Sequence, residues 1–432
     1  MEVTVERILP GGLGLSHAEG RTILVALSAP GDRLRVRIDR VKGNVSFATI
    51  EEILEPSPQR VEPPCPYFGR CGGCDFQQLS YQAQLEAKVE IIKDCLRRLG
   101  GIENVPDIEI TSAPDAWRYR SRAQWQYDAI RQRLGYFESG SRRVCDVAEC
   151  AVLAPPLQQT LETLREQMKD GSLPDNVRDF RAVVGDDNEV SISPPVRGLN
   201  LSPDGGSSPT VSEGAGSFER QTVRDISRTI RGETYRLNAE SFFQANTDLL
   251  PQLIDKAIGE SAGETAVELY CGVGLFTVPL ARRFKHVVSV EGDNAATDFA
   301  RTNLSHAGLL NAEIANQDVG GWLERETAPA GEGDKKRRQV AALQNELDFL
   351  LLDPPRTGAE SRVINGILKL QPKRISYVSC DPATLARDLK KLIAGGYRLD
   401  TVSAFDMFPQ THHVESVVHL TASPEPSPVA LT

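Results

Sequence analysis

The sequence predicts an α/β protein: a doubly wound, Rossmann-like parallel sheet in its C-terminal half, preceded by a small β-barrel and a β-rich central part. Three observations lead there. Between about residues 238 and 420, short apolar runs alternate with amphipathic segments. Strand candidates fall at 266–270, 287–291, 349–353, 375–379 and 416–420, with helices between the first four. The segment AVELYCGVGLFTVPLA has the order strand, glycine turn, helix. Near the N-terminus, Leu34, Val36 and Ile38 alternate with Arg33, Arg35 and Arg37. A Gly43-Asn44 turn and a second alternation through Val45 and Phe47 follow, which is a hairpin signature.

Taken in order, residues 1–58 form the barrel. Its three arginines would share one face, and a nucleic-acid surface or a merely solvated strand accounts for them equally well. Pro63-Pro64 closes this part, and a cysteine cluster follows. A helix is predicted over about 82–99, with Leu85, Val89, Ile92, Leu96 and Leu99 on one stripe and Gly100-Gly101 as its stop. Residues 112–236 are strand-rich, interrupted at 193–217 by a Gly/Ser/Pro-rich stretch expected to be a long loop. A charged insert at 324–345 is expected on the surface, and the Pro/Ser-rich end after Thr421 is expected to fray.

The chain of 432 residues is long enough for two to four domains. Its 49 basic against 59 acidic residues give a net charge of −10. That excess argues against a protein that coats nucleic acid indiscriminately, without excluding a local basic strip. Eight cysteines are far too few for a secreted disulfide scaffold. No signal-like apolar run opens the chain, and the longest apolar stretch, around 266–281, is interrupted by Glu268 and Pro279. A cytoplasmic, membrane-free protein is expected, with cysteines that serve something other than disulfides.

In the glycine turn, Gly272 and Gly274 allow a ligand to approach the backbone, and Thr277 stands where a dinucleotide fingerprint has its third glycine. Glu291 ends the next strand, where a carboxylate can accept both ribose hydroxyls of an adenosine. S-adenosylmethionine therefore fits better than NAD, since it needs no pyrophosphate cradle. Three more motifs sit at strand ends: Asp353 in LLLDPPRTG, Cys380 in YVSCDPATLARDL and Glu415 in FDMFPQTHHVESVVHL. Separately, each is more simply a turn aspartate, a buried thiol and an exposed glutamate. Together they suit one chemistry. Carbon 5 of uracil is a poor nucleophile until a thiolate adds to C6, and a base must afterwards remove the C5 proton.

On the segments FFQAN, ELYCGVG, VEGD, DPPRTG, SCDPATLARD and FPQTHHVE, the chain resembles the bacterial RNA (uracil-C5)-methyltransferases that act on 23S rRNA and tRNA. The resemblance runs over nearly the whole chain. It implies an OB-like TRAM barrel over 1–58 and a central domain of 59–79 and 111–236. It further implies an S-adenosylmethionine-dependent methyltransferase domain of 80–110 and 237–425, with a tail of 426–432. Cys380 is implied as nucleophile and Glu415 as general base, with Gln244, Tyr270, Gly272, Gly274, Glu291, Asp318 and Asp353 on the cofactor side. Leu275 stands where some members have asparagine, so no polar contact is expected there. The barrel together with the cysteine cluster favours 23S rRNA over tRNA as the RNA partner, and a monomer is expected.

Cys65, Cys71 and Cys74 form a C-x5-C-x2-C run, with Cys145 or Cys150 as distant fourth ligand. Spacing alone leaves zinc and an iron–sulfur cluster equally open. The resemblance implies a [4Fe–4S] cluster held by Cys65, Cys71, Cys74 and Cys150. Cys95 is expected in the core, and Cys271 packed under the cofactor turn. Residues 117–143 carry seven arginines against Asp128 and Glu138, interleaved with aromatics. This strip is the expected RNA surface, with Arg118, Arg120, Arg122 and Trp125 as contacts; inward aromatics and outward arginines on plain strands are the alternative. An iron–sulfur redox protein would leave Cys380, Glu415 and the glycine turn without a role. A non-catalytic RNA binder would differ in tolerating the loss of Cys380.

Overall fold

A computed structural model describes residues 1–196, 199, 223–328 and 347–423. The expected loop at 193–217 and the charged insert at 324–345 lie largely outside these, as does the chain end from 424. Strands β1 (Glu2–Thr4), β2 (Arg7–Ile8), β3 (Gly14–Ala18), β4 (Arg21–Val25), β5 (Arg33–Lys42) and β6 (Val45–Glu55) make one sheet in the order β1-β5-β6-β4-β3-β2. The alternation in β5 buries Leu34 and Val36 against Val3, Ile23 and Val25. Arg33, Arg35 and Arg37 are exposed but neutralised, Arg33 by Glu2 and Glu55, Arg35 by Glu2 and Glu52, and Arg37 by Asp39.

Helix α1 (Tyr81–Arg98) is capped by Ser80, whose hydroxyl accepts from the Ala83 N–H. Its apolar stripe, with Ile92, Cys95 and Leu96, packs into the core of the C-terminal sheet, and strand β7 (Ile108–Thr111) joins that sheet at its edge. The next sheet, β10-β9-β8-β11-β12, comprises β8 (Arg122–Asp128), β9 (Arg133–Phe137), β10 (Val144–Asp146), β11 (Asp179–Val184) and β12 (Val190–Ser193). Helix α2 (Pro155–Asp170) covers one of its faces through Leu157, Leu161 and Leu164. The hairpin of β13 (Ile226–Ile230) and β14 (Glu233–Leu237) follows.

The large sheet contains β15 (Gly263–Leu269), β16 (Phe284–Glu291), β17 (Ala312–Asn316), β18 (Phe349–Leu352), β19 (Arg374–Ser379), β20 (Tyr397–Phe405) and β21 (Glu415–Ala422). Its order is β17-β16-β15-β18-β19-β21-β20-β7, parallel from β17 to β19, with β21 antiparallel to both neighbours. Helices α3 (Leu250–Ile258), α4 (Thr277–Ala281), α5 (Asn294–His306), α6 (Val319–Glu326), α7 (Ser361–Leu370) and α8 (Pro382–Ala394) pack on its two faces. Three strands, β7, β17 and β20, go beyond the sequence expectation. In β17 the residues AEIAN are only half-buried on the sheet edge, so no apolar run marks it. The front of the expected insert, through Glu326, continues α6. Among the described residues no helix is long and apolar enough to cross a membrane.

Candidate active site

The order of the sheet reverses between β15 and β18, and ligands of such sheets sit at the carboxyl ends of the strands around that point. Beyond β15, Tyr270, Gly272 and Gly274 all have positive φ (66°, 53° and 90°). The glycines are the residues for which that backbone costs little, and Tyr270 accepts the strain. Gly272 N–H donates to Glu291 Oε2 at 3.0 Å, which ties the turn to the end of β16. Thr277, at the place of the missing third glycine, donates to Glu268 deep under the turn, and Ser289 donates to the same oxygen at 2.9 Å. Burial pushes the Glu268 carboxyl up to about 8. Cys271 and Cys95 are buried, as expected. Asp318 caps α6 through Gly321 N–H and pairs with Arg362 at 3.1 Å, yet stays largely exposed at the end of β17. Gln244 is buried in the loop before α3.

Cys380 follows β19 directly, and Glu415 opens β21. Because β21 runs antiparallel, with Ser416 paired to Ser379, its first residue arrives at the same sheet edge as Cys380. Asp353 follows the neighbouring strand β18, and its N–H donates to Leu269 O at 3.3 Å. Glu415 is 1% exposed and its Oε1 has no partner among the described residues. Burial first, and then the Asp353 charge, raise its carboxyl well above the usual range, while Arg356 pulls it down. Asp353 is pushed up to about 7 by burial. The Cys380 thiol is pushed up to about 12 by burial and by the carboxylates of Glu415 and Asp353, again opposed by Arg356. Arg356, which sequence reasoning passed over, is the cation whose charge reaches both Cys380 and Glu415; its signal was a cation three residues after Asp353 in a loop otherwise read for acids.

The segment between β20 and β21 holds Glu415 from behind. Lys88 of α1 is fully buried, pairs with Asp406 and donates to Phe408 O at 3.0 Å. Gln84 and Gln410 bond reciprocally, with Gln410 N–H donating at 2.9 Å. Asp75 accepts from both the backbone N–H and the ring of His412. His413 packs on His412, with ring centroids 4.2 Å apart, and burial drives its pKa down to about 3.

Cys65, Cys71, Cys74 and Cys150 line one cavity together with Arg120 and Tyr136, whereas Cys145 lies outside it and accepts from Arg70 Nε at 3.3 Å. Among the described residues no three Cys, His, Asp or Glu side chains are gathered for a single metal ion. Four thiols on one cavity are the donor set that either a zinc ion or an iron–sulfur cluster requires. Burial raises the thiols of Cys74 and Cys150, the Arg120 charge opposes it, and the buried Arg120 Nε has no partner among the described residues.

Most of the expected RNA contacts need correction. Trp125 is fully buried in the core of the β8 sheet with Phe180 and Leu161, so it cannot stack on a base. Arg122 spends its guanidinium on Ser241 O (2.6 Å) and Ala239 O (3.1 Å). Arg120 faces the thiol cavity. Of the four, only Arg118 is exposed, beside a groove that it lines with Arg228 and Asp248. Period-2 alternation sends Ala123, Trp125 and Tyr127 inward together, which is why the aromatics belong to the core.

A doubly wound sheet with a glycine turn at its switch point, and a thiol and two carboxyls at the neighbouring strand ends, has the layout of a nucleoside-cofactor methyltransferase. The chain belongs to the RNA (uracil-C5)-methyltransferase family. Residues 217–423 match the family model tRNA (Uracil-5-)-methyltransferase, and residues 1–59 match the TRAM domain of tRNA (uracil(54)-C(5))-methyltransferase. The 23S rRNA (uracil(1939)-C(5))-methyltransferase RlmD of Pectobacterium atrosepticum is 33% identical over 96% of this chain and 92% of that protein. The RlmD of Alkalilimnicola ehrlichii is 32% identical, over 96% and 95%. The crystal structure of Pyrococcus abyssi tRNA (uracil-54, C5)-methyltransferase in complex with S-adenosyl-L-homocysteine superposes with a TM-score of 0.69 at 26% identity. It covers 97% of this chain and 100% of that one.

Proposed function

We propose that this protein methylates C5 of a specific uridine in 23S rRNA. The observation that carries the reading is the convergence of Cys380, Glu415 and Asp353 on one sheet edge beside the glycine turn. Gln244, Tyr270, Gly272, Gly274, Glu291, Asp318 and Asp353 hold S-adenosylmethionine, which supplies the methyl group and a positive sulfonium. Beside that charge Cys380 and the two carboxyls ionise more readily. Cys380 Sγ adds to C6 of a uracil turned out of its stack, and the C5=C6 electrons move so that C5 takes the methyl group. Glu415 then removes the C5 proton, the double bond re-forms, and the C6–S bond breaks to release the thiolate.

Residues 1–58 serve as an RNA-binding domain, 59–79 with 111–236 as a central domain, and 80–110 with 237–425 as the catalytic domain. Cys65, Cys71, Cys74 and Cys150 hold a [4Fe–4S] cluster that staples the central domain; no electron is needed for methyl transfer. The protein acts as a cytoplasmic monomer, with Arg118 on the RNA. Mapping 5-methyluridine by mass in rRNA and tRNA of a strain lacking the protein tests the substrate. Loss of one 23S rRNA site is expected, and loss of a tRNA site instead would establish the second reading, which the likeness to the Pyrococcus tRNA enzyme favours.

A further inference from the structure

The thiol cavity and the catalytic base are joined by one residue. Asp75 directly follows Cys74, which lines that cavity. The N–H groups of Asp75 and Phe76 donate to Gln410 O at 3.1 and 3.0 Å. In return the Asp75 carboxylate takes His412 N–H on Oδ1 at 2.9 Å and the His412 ring on Oδ2. The barrel closes over the same point. Gly12 has φ +77°, and a Cβ there would meet Asp75 Oδ2 at 3.0 Å and His412 Cβ at 3.2 Å. Glu415, three residues beyond His412, has no side-chain bond on its buried Oε1. Its backbone pairs with Phe405 as β21 begins, and the turn that leads into this first pair is held by Asp75 at two points. With no partner on Oε1 to fix the carboxyl, a loosened His412 turn moves the base relative to C5.

We propose that Asp75 is a positioning residue for the proton-removal step, holding the His412 turn so that Glu415 reaches the C5 proton. This rests on Glu415 as the base. The step can be isolated, because methyl transfer precedes proton removal and the methylated RNA stays bound to Cys380 until Glu415 acts. The experiment follows the denaturation-stable protein–RNA adduct that carries a radiolabelled methyl group in single turnovers, using the full chain as purified. Glu415→Gln is expected to trap that adduct. Asp75→Ala and His412→Ala are expected to slow its breakdown about tenfold to hundredfold with its formation unchanged. Asp75→Asn, which keeps an acceptor for His412 N–H, is expected to recover most of the breakdown rate. His412→Ala leaves the cysteine segment intact and so guards against a variant that merely disturbs the thiol cavity. If Glu415→Gln traps the adduct and the Asp75 and His412 variants do not, or slow formation and breakdown alike, the proposal fails alone. If Glu415→Gln releases its product normally, the base assignment fails and takes the proposal with it.

Discussion

Asp353, leaving β18, and Glu415, entering β21, lie at the same edge of one sheet with β19 between them, and after burial it is the Asp353 charge that drives the Glu415 carboxyl above its ordinary range. Arg356 is the cation that offsets both Glu415 and Cys380. On balance the thiol and the base both hold their protons more tightly than an ordinary cysteine and glutamate do. A cationic sulfonium beside these groups would act in the opposite direction and lower the pKa of each.

Substitution at the two reacting groups should separate the half-reactions. Cys380→Ala is expected to abolish both methylation and the covalent RNA adduct. Glu415→Gln is expected to form the adduct and lower turnover about 10²- to 10⁴-fold, the usual contribution of a general base. Gel analysis of the denatured complex beside methyl incorporation measures both; methylation by the Cys380→Ala variant would reject the mechanism.

Alkylation should report the charge state of Cys380. With its pKa raised, the thiolate fraction is small at pH 7 and grows with pH toward about 12, so iodoacetamide should modify this residue slowly at neutral pH and faster as pH rises. S-adenosylmethionine should accelerate the modification at fixed pH, and neutral S-adenosylhomocysteine should not. Peptide mass analysis at Cys380 distinguishes these, and equal effects of the two ligands would exclude the electrostatic account.

The RNA strip divides into core and surface by experiment. Trp125→Ala empties a fully buried position and should cost about 3–5 kcal/mol in denaturant unfolding. Arg118→Ala should leave stability within about 0.5 kcal/mol. It should weaken RNA binding and flatten its salt dependence by about one unit of slope. Unchanged binding by the Arg118 variant would move the RNA elsewhere.

Glu268 predicts a pH dependence of stability. Its folded pKa of about 8 lies above the unfolded value of 4.5, so the group favours the folded state fully below pH 4.5. That contribution is lost as pH rises to about 8, at about 1.4 kcal/mol per unit of displacement. Glu268→Gln should remove this loss, leaving the variant less sensitive to pH over that window. Parallel pH profiles of the two proteins would contradict it.

The sequence by itself determined the parts whose signal is local. Period-2 alternation marked β5 and β6, a helical stripe closed by two glycines marked α1, and the glycine turn with Glu291 marked the cofactor edge, because backbone conformation and hydrophobic period are set by neighbouring residues. It also put Cys380, Glu415 and Asp353 at strand ends. Only the tertiary structure decided what those ends face. The antiparallel return of β21 sets Glu415 beside Cys380, and burial then raises the pKa of both. Likewise Trp125, which alternation alone left on either face, proved to be core once α2 covered that side of the sheet. Arg120 turned from solvent to the thiol cavity, and Asp75, an unremarked neighbour of Cys74, came to hold His412 more than three hundred residues away. Each of these depends on which surfaces pack together and how much water they exclude, a property of distant residues that no local pattern carries.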